Sequence, residues 1–529
     1  MSVKQAEQGM ILSRLLGSLV LLAVALGVFV ALRPLLPIDE TRYLDVAWEM
    51  RLSGDLFHLT RNFDLYTHKP PMLFWLINLV WQATGVSEFA ARLVAPGFAV
   101  AAAVAMARLA RRLWPGDGGT GARSVLVLAG FTVFLIYASA TMFDTMLALA
   151  TILGMGVLWR IGQGESGWRI WTGFGAILAF GVYAKGPVIF VHLMPVLLTM
   201  RVWAPVPPRP AEVARGFAVA LAAGLALVAL WLVPALLAGT AAYREELLWT
   251  QSAARVAGGM AHDRPVWFLV VLLPVILFPW GWSWPVWRRV AQEVQARGPG
   301  RMLAIWAASG LVLFSLISGK QVHYLVPEFP AVALLVARAL GAAGPGVRAG
   351  SAAAIVPVAL GVAALLLAAG VVPASGDLAV VQPAAAVVIF GLLTIAVGVV
   401  GWRLPLLPGH AVIGIGLATA LHILIATSGL YSAYDAYPIA ARLKAADAGG
   451  LAIAGMTYNA EFNFKARLAA PVATPIDAEA VQTWCRAHPE GLLFGPVGRV
   501  PVTAAPSETL RYNGIDYGFW PAASVNARG

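Results

Sequence analysis

The chain has 529 residues, 60% of them hydrophobic and only 12% charged, with a mean hydropathy of +0.77 and a net charge of +11. A soluble protein carries about 25% charged residues, so these figures exclude an ordinary water-soluble chain and point to one that crosses a membrane many times. The single cysteine, Cys485, excludes an intrachain disulfide and a cysteine-based metal site. The positive balance is expected on cytoplasmic loops rather than on a nucleic-acid-binding face.

In chain order, apolar runs near 12–33, 89–110, 122–141, 144–160, 169–184, 186–202, 213–238, 265–286, 302–318, 324–341, 351–372, 383–402 and 409–430 predict about 13 transmembrane helices. The first, Ile11 to Leu32, is too long for a signal-peptide core and reads as an uncleaved first helix. The run "PPMLFWLINLVWQATG" from Pro70 is shorter and opens with two prolines, so it reads as an interfacial or re-entrant segment. Charge supports that reading. With the N-terminus inside, Arg108, Arg111, Arg112 and Arg123 share an inside loop, and Arg288, Arg289, Arg297 and Arg301 share another. A full span at Pro70 would put the first group outside and break the positive-inside pattern.

Three segments then face outward: 34–88, 239–264 and 431–529. The last differs in character from the rest. It holds eight acidic and eight basic residues, and its short apolar runs "LAIAGM" and "GLLFGPV" flank the helical-looking "AEAVQTWCRAH". The expected organisation is a membrane domain over 1–430 followed by a small periplasmic α/β domain over 431–529.

The first outer segment, 34–88, is the richest in chemistry. Asp39 and Glu40 stand where the first apolar run ends, followed by Arg42 and Tyr43. Leu44, Ala47, Trp48 and Leu52 then recur at helical spacing, opposite Arg42, Asp45, Glu49 and Arg51, which predicts an amphipathic helix on the membrane surface. Asp39 reads either as an N-cap, with Glu40 complementing the helix dipole, or as a general base for an acceptor hydroxyl. In "DLYTHKPPMLFW", Tyr66, His68 and Lys69 precede the rigid Pro70-Pro71. Lys69 can snorkel beside an aromatic belt or grip a phosphate as a compact point charge.

Further along, Asp144 in "SATMFDTML" is an acid within apolar sequence, expensive there and therefore either a second helix cap or functional. Lys185 in "VYAKGPVIF" lies at the expected outer face, where the positive-inside rule does not account for it. "GGMAHDRPVWF" supplies His262, Asp263 and Arg264, and "SGKQVHYLVPEFP" supplies Lys320, His323 and Tyr324, with Glu328 one turn deeper. Outer-face cations of this kind suit an anionic phosphate headgroup. No P-loop, Rossmann fingerprint, HExxH or GxSxG pattern occurs.

Together, "DETRY", "LSGD", "KPPMLFWL", "EFAARL", "AHDRPVWF" and "SGKQVHYLVPEFPAVALL", in this order over about 38–340, resemble the polyprenyl-phosphate-sugar-dependent glycosyltransferases of GT-C architecture. Within that family the likeness is to bacterial transferases that move aminoarabinose onto lipid A and, more distantly, to protein O-mannosyltransferases. The resemblance implies Asp39 as the catalytic acid of the first outer loop. It implies contacts from Lys69, Arg264 and Tyr324 to the lipid-linked phosphate, with Asp144 and Lys185 lining the cavity. The chain departs from the family at His68, where Glu is common, which puts any acid or metal-binding role there in doubt.

The expected function is therefore a multi-pass glycosyltransferase of the bacterial inner membrane with its site facing the periplasm. Its partners would be a polyprenyl-phosphate-linked sugar donor and a lipid, glycan or protein acceptor, not nucleic acid. Asp39, Glu40 and Asp144 are the candidate catalytic carboxylates. Arg42, Tyr43, Tyr66, His68, Lys69, Lys185, His262, Arg264, Lys320 and Tyr324 are the candidate substrate-binding residues. No cofactor is demanded, and a divalent cation stays open. The alternative is a lipid-linked-sugar transporter or flippase, which predicts internal repeats and midplane charges that the sequence does not show.

Overall fold

The computed structural model describes residues 3–247, 264–342, 352–373 and 379–526. Among them, nine helices are long and apolar enough to cross a membrane, or ten if the pair Thr120–Ala129 and Thr132–Ala138, bent by 77°, is one span. That is fewer than the thirteen expected, and the local causes are visible. The runs at 169–184 and 186–202 merge into one stretch, Trp168–Leu198, interrupted by a single 3-10 turn at Gly186–Val188. The run at 265–286 is divided into the short pieces Phe268–Val271, Leu273–Ile276 and Trp280–Trp282, with prolines at 274 and 279. The run at 351–372 forms Ala352–Ala368, which is shorter than a full span.

The first helix, α1 (Val3–Ala31), leads into α2 (Asp39–Ser53). Asp39 and Glu40 in the first turn and Arg51 in the last complement its dipole. Gly54 ends it in the left-handed region (φ 68°), its amide bonding the carbonyl of Met50 at 3.0 Å. The polar face of the amphipathic α2 is covered at Asp45 and Glu49 and open at Arg51. Asp45 and Glu49 are 0% and 1% exposed, whereas Leu52 of the expected apolar face is 42% exposed. Periodicity distinguished two faces, but a later part of the chain covers the polar one at those two acids.

A hairpin follows, β1 (Thr60–Arg61) with β2 (Asp64–Leu65). Its two turn residues, Asn62 and Phe63, both have positive φ (52° and 64°), as a tight hairpin turn requires. The Phe63 amide donates to both Glu49 oxygens at 3.0 and 2.9 Å, and the Asn62 amide donates to Asp45 at 3.3 Å. Burial, with Glu49 alongside, raises the pKa of Asp45 well above the usual carboxylate range, and burial also raises that of Glu49. The segment then reaches Pro70-Pro71 and α3 (Met72–Thr84), 13 residues long, which packs on α2 through a bond from Asn78 to the carbonyl of Ala47 at 2.9 Å.

In the tail, β3 (Leu451–Ile453), β4 (Leu492–Pro496), β5 (Glu508–Tyr512) and β6 (Ile515–Pro521) form a sheet in the order β3-β4-β6-β5. The β3–β4 pair is parallel and the others antiparallel. Asn513-Gly514, both at positive φ, turn the β5–β6 hairpin. The parallel pair needs a crossover, and it contains the helix Ala478–Ala487, capped by Asp477. Phe462, Phe494, Phe519, Tyr512 and Tyr517 fill one side of the sheet.

This sheet unit docks on the segment 34–88. Asn62 donates to the carbonyl of Val472 and accepts from the Val472 amide, both at 2.9 Å. Trp48 donates to the carbonyl of Leu468 at 2.8 Å, Lys465 pairs with Glu88 at 2.5 Å, and Phe464 stacks on Trp81 with centroids 5.6 Å apart. Such a ring pair contributes about 1 kcal/mol beyond its burial.

Candidate active site

The acid pair divides at the start of α2. Glu40 turns inward, 2% exposed, and forms a two-pronged ion pair with buried Arg33. It also accepts from the amides of Leu36 (3.0 Å) and Thr141 (2.7 Å). Burial opposes its ionisation, but Arg33, with Arg92 and the Thr141 amide, brings its pKa down to about 2. Asp39 turns outward. Its Oδ1 accepts from Arg42 and from the Tyr43 hydroxyl (3.0 Å), while its side chain keeps 37% exposure. The residue preceding it, Ile38, occupies the cap position of α2, and no side chain caps the helix. Asp39 is therefore held from the C-terminal side, by the next turn of its own helix, and its Oδ2 is left without a partner among the described residues.

Tyr43 forms the floor beside Asp39. Its ring meets Phe143 edge-on at 4.9 Å, and the amine of Lys69 lies 6.0 Å from the Tyr43 centroid and 5.7 Å from that of Phe143. Lys69 makes no ion pair among the described residues. Burial, reinforced by the nearby Lys185, lowers its pKa to about 8, while Asp39 and Asp144 pull the other way. Tyr66, three residues before Lys69, is buried; His68 stacks on its ring at 5.4 Å, and the Arg42 guanidinium lies 6.0 Å from its centroid.

Asp144 and Lys185 close the other side. Asp144, 2% exposed, opens the helix Asp144–Gly162, and Lys185 ends the helix Trp168–Lys185; their side chains pair at 2.5 Å. The second oxygen of Asp144 is buried without a hydrogen-bond partner. The Lys185 amine sits 4.8 Å from the ring centroid of Tyr324, which meets His323 edge-on at 4.8 Å. Five separate stretches of chain thus bring Asp39, Arg42, Tyr43, Tyr66, His68, Lys69, Asp144, Lys185 and Tyr324 into one cluster.

Two of the remaining sequence candidates make other contacts among the described residues. Lys320 is buried, and its amine donates to the carbonyls of Arg264 (2.8 Å) and Pro265 (3.2 Å), which ties two loops together. Arg264 lies over Phe268 at 5.4 Å, and no hydrogen bond, ion pair or ring contact joins it to the cluster among the described residues. His262 lies outside the described residues. Sequence reasoning missed Arg33 and Phe143. Arg33 follows the first apolar run and reads there as a membrane flank; its seven-residue spacing to Glu40 was the available signal.

Among the described residues, no group of three or more His, Cys, Asp or Glu side chains could hold a metal ion. Asp39 and Asp144 are instead each paired with a cation. The donor set fits an anionic, phosphate-bearing ligand beside a half-exposed carboxylate.

In the solved structure of ArnT from Cupriavidus metallidurans bound to undecaprenyl phosphate, 93% of that chain superposes on 92% of this one with a TM-score of 0.69 and 18% identity. The chain has the ArnT fold. The apo structure of the same protein gives a TM-score of 0.68 at 19% identity, over 93% of this chain and 94% of that one. The family described as dolichyl-phosphate-mannose-protein mannosyltransferase matches residues 68–233, a stretch of the ArnT fold that begins at His68-Lys69. The undecaprenyl phosphate-α-4-amino-4-deoxy-L-arabinose arabinosyl transferase of Pseudomonas aeruginosa is 31% identical over 309 residues, 57% of this chain and 55% of that protein. The enzyme of the same name from Erwinia tasmaniensis is 28% identical over 370 residues, 65% and 64% of the two chains. The chain thus spans a little over half the length of the first curated relatives it matches. The nine or ten apolar helices among the described residues and the ArnT fold make it a multi-pass membrane protein.

Proposed function

We propose that the protein is an integral membrane glycosyltransferase. It moves a sugar from a polyprenyl-phosphate donor to an acceptor hydroxyl or phosphate on lipid A, a glycan or a protein, at the periplasmic face of the bacterial inner membrane. The observation that carries the reading is the convergence of Lys69 and Lys185 beside Asp39, on elements that begin or end at the boundaries of apolar helices. The names of the relatives, undecaprenyl phosphate-linked arabinosyl transferases, support this donor class over a flippase.

The acceptor oxygen attacks the anomeric carbon as the carbon–oxygen bond to phosphate breaks. The bonding pair leaves on the phosphate, where Lys69 and the Lys185–Asp144 pair offset the developing charge. A well-placed donor in a dry site is worth about 3 kcal/mol of barrier. The proton of a hydroxyl acceptor passes to Oδ2 of Asp39, whose other oxygen is fixed by Arg42 and Tyr43; a phosphate acceptor needs no base, and Asp39 then orients it. A single displacement inverts the anomeric centre. Glu40, saturated by Arg33 and two amides, acts as a positioning residue that anchors the start of α2.

The proposed topology has thirteen crossings, with the Gly186 break dividing Trp168–Leu198 into two and the broken run near 265–286 counted as one. The membrane domain then extends to about residue 430, and the sheet unit over 431–529 stands on the periplasmic side. Mass spectrometry of lipid A and surface glycans from cells with and without the protein tests the function. Loss of one glycosyl increment is expected. Identical glycan masses in both would remove the transferase reading.

A further inference from the structure

His192 and Glu328 are buried within two of the apolar spans. An imidazole and a carboxyl group are costly to keep there, which makes them functional candidates. His192 Nδ1 and Glu328 Oε1 are 2.5 Å apart. Their other polar atoms, His192 Nε2 and Glu328 Oε2, are buried with no hydrogen-bond partner among the described residues. Each group therefore depends on the other, and removing one leaves the second unpaired.

The pair joins two segments that lead from residues of the cluster. His192 lies in the helix Ile189–Leu198, which follows Lys185 after the Gly186–Val188 turn. Glu328 ends the 3-10 helix Val322–Glu328, four residues after Tyr324 and so about 8 Å further along its axis. The same stretches of chain meet a second time where the Lys185 amine sits 4.8 Å from the Tyr324 ring centroid. The helix Pro299–Leu316 packs against both meetings. The ring of its Phe314 lies 5.4 Å from that of His192 and 5.6 Å from that of Tyr324. Its Gly310 makes room for the carboxyl group, because a Cβ there would collide with Glu328 Oε1.

The consequence falls on Lys185. Asp144 pairs with its amine and neutralises its charge, whereas the Tyr324 ring attracts the amine and leaves the charge in place. That attraction acts only within about 6 Å of the ring centroid. A displaced Val322–Glu328 segment would therefore leave the amine to Asp144. We infer that His192 and Glu328 are positioning residues, which hold Tyr324 against Lys185 and so set where that amine meets the donor phosphate. The inference rests on the transferase reading above and extends it to two residues outside the cluster.

The test measures binding of undecaprenyl phosphate to the full chain in detergent micelles by titration calorimetry, with a melting temperature for each variant. Glu328→Ala should raise Kd roughly 10-fold. Glu328→Gln keeps an oxygen that accepts from His192 and should stay within about 2-fold of wild type. Tyr324→Leu should raise Kd as far as Glu328→Ala does, and the double variant no further, because one residue acts through the other. If Glu328→Ala does not fold, Gly310→Ala takes its place, since the added methyl displaces the carboxyl group. Additive effects in the double variant, a Glu328→Gln chain as weak as Glu328→Ala, or a wild-type Kd in the folded Ala variant overturns the inference and leaves the transferase reading intact. A wild-type chain that does not bind undecaprenyl phosphate overturns the donor reading, and the inference with it.

Discussion

Asp39 and Glu40 are neighbours in sequence, yet their carboxylates have opposite surroundings: Glu40 is sealed against Arg33 at 2% exposure, and Asp39 stands at 37% with one oxygen unpartnered. One acid anchors the helix and the other is available for chemistry. The division follows from helix geometry, because consecutive residues on a helix point about 100° apart.

Asp39→Asn keeps the size of the side chain and removes its capacity to take a proton. Turnover should fall at least ~100-fold, the usual contribution of a general base. The melting temperature in detergent should stay within a few degrees of wild type.

Glu40→Gln should act on stability. It leaves the buried Arg33 charge uncompensated, a loss of about 3–5 kcal/mol, measurable by thermal unfolding. Glu40 also sets an acid limit. Because its folded pKa is depressed from 4.5 to about 2, its contribution is complete above about pH 4.5 and is lost as the pH falls toward 2. Glu40→Gln should remove that part of the acid dependence.

Asn62→Ala should loosen the docked tail. Asn62 is 8% exposed and makes three side-chain bonds to the tail, two to Val472 and one to Asn463 at 3.3 Å. Their loss, together with the positive φ that alanine tolerates poorly, should cost about 2–4 kcal/mol. Limited proteolysis should release the tail sooner in the variant than in the wild type.

Much of the candidate site was legible because polar residues at the ends of apolar runs are costly and therefore informative. Asp39, Lys69, Asp144 and Lys185 each interrupt or bound such a run, and the structure gathers them. Lys320 gave the same signal for a different reason, since its amine is consumed by two backbone carbonyls. The sequence could not reveal what covers Asp45 and Glu49. Their partners lie in the hairpin turn at Asn62 and Phe63, which is pinned to Val472 some 410 positions away. Such pairing is set by tertiary packing rather than local periodicity. The number of spans was also obscured, because Trp168–Leu198 continues as one stretch through the Gly186 turn, whereas the prolines at 274 and 279 divide an apolar run into pieces too short to cross.

The central claim is that Lys69 holds the donor phosphate, and the pH dependence of donor use tests it most directly. With its pKa lowered to about 8, the Lys69 amine loses its charge above that pH, so kcat/KM for an undecaprenyl-phosphate-linked sugar should fall as the pH rises through 8. Lys69→Arg stays charged throughout and should move this inflection out of the accessible range. Lys69→Ala should lower kcat/KM by about 100-fold at pH 7. The same inflection in wild type and Lys69→Arg, with near-normal kcat/KM in Lys69→Ala, would contradict the account.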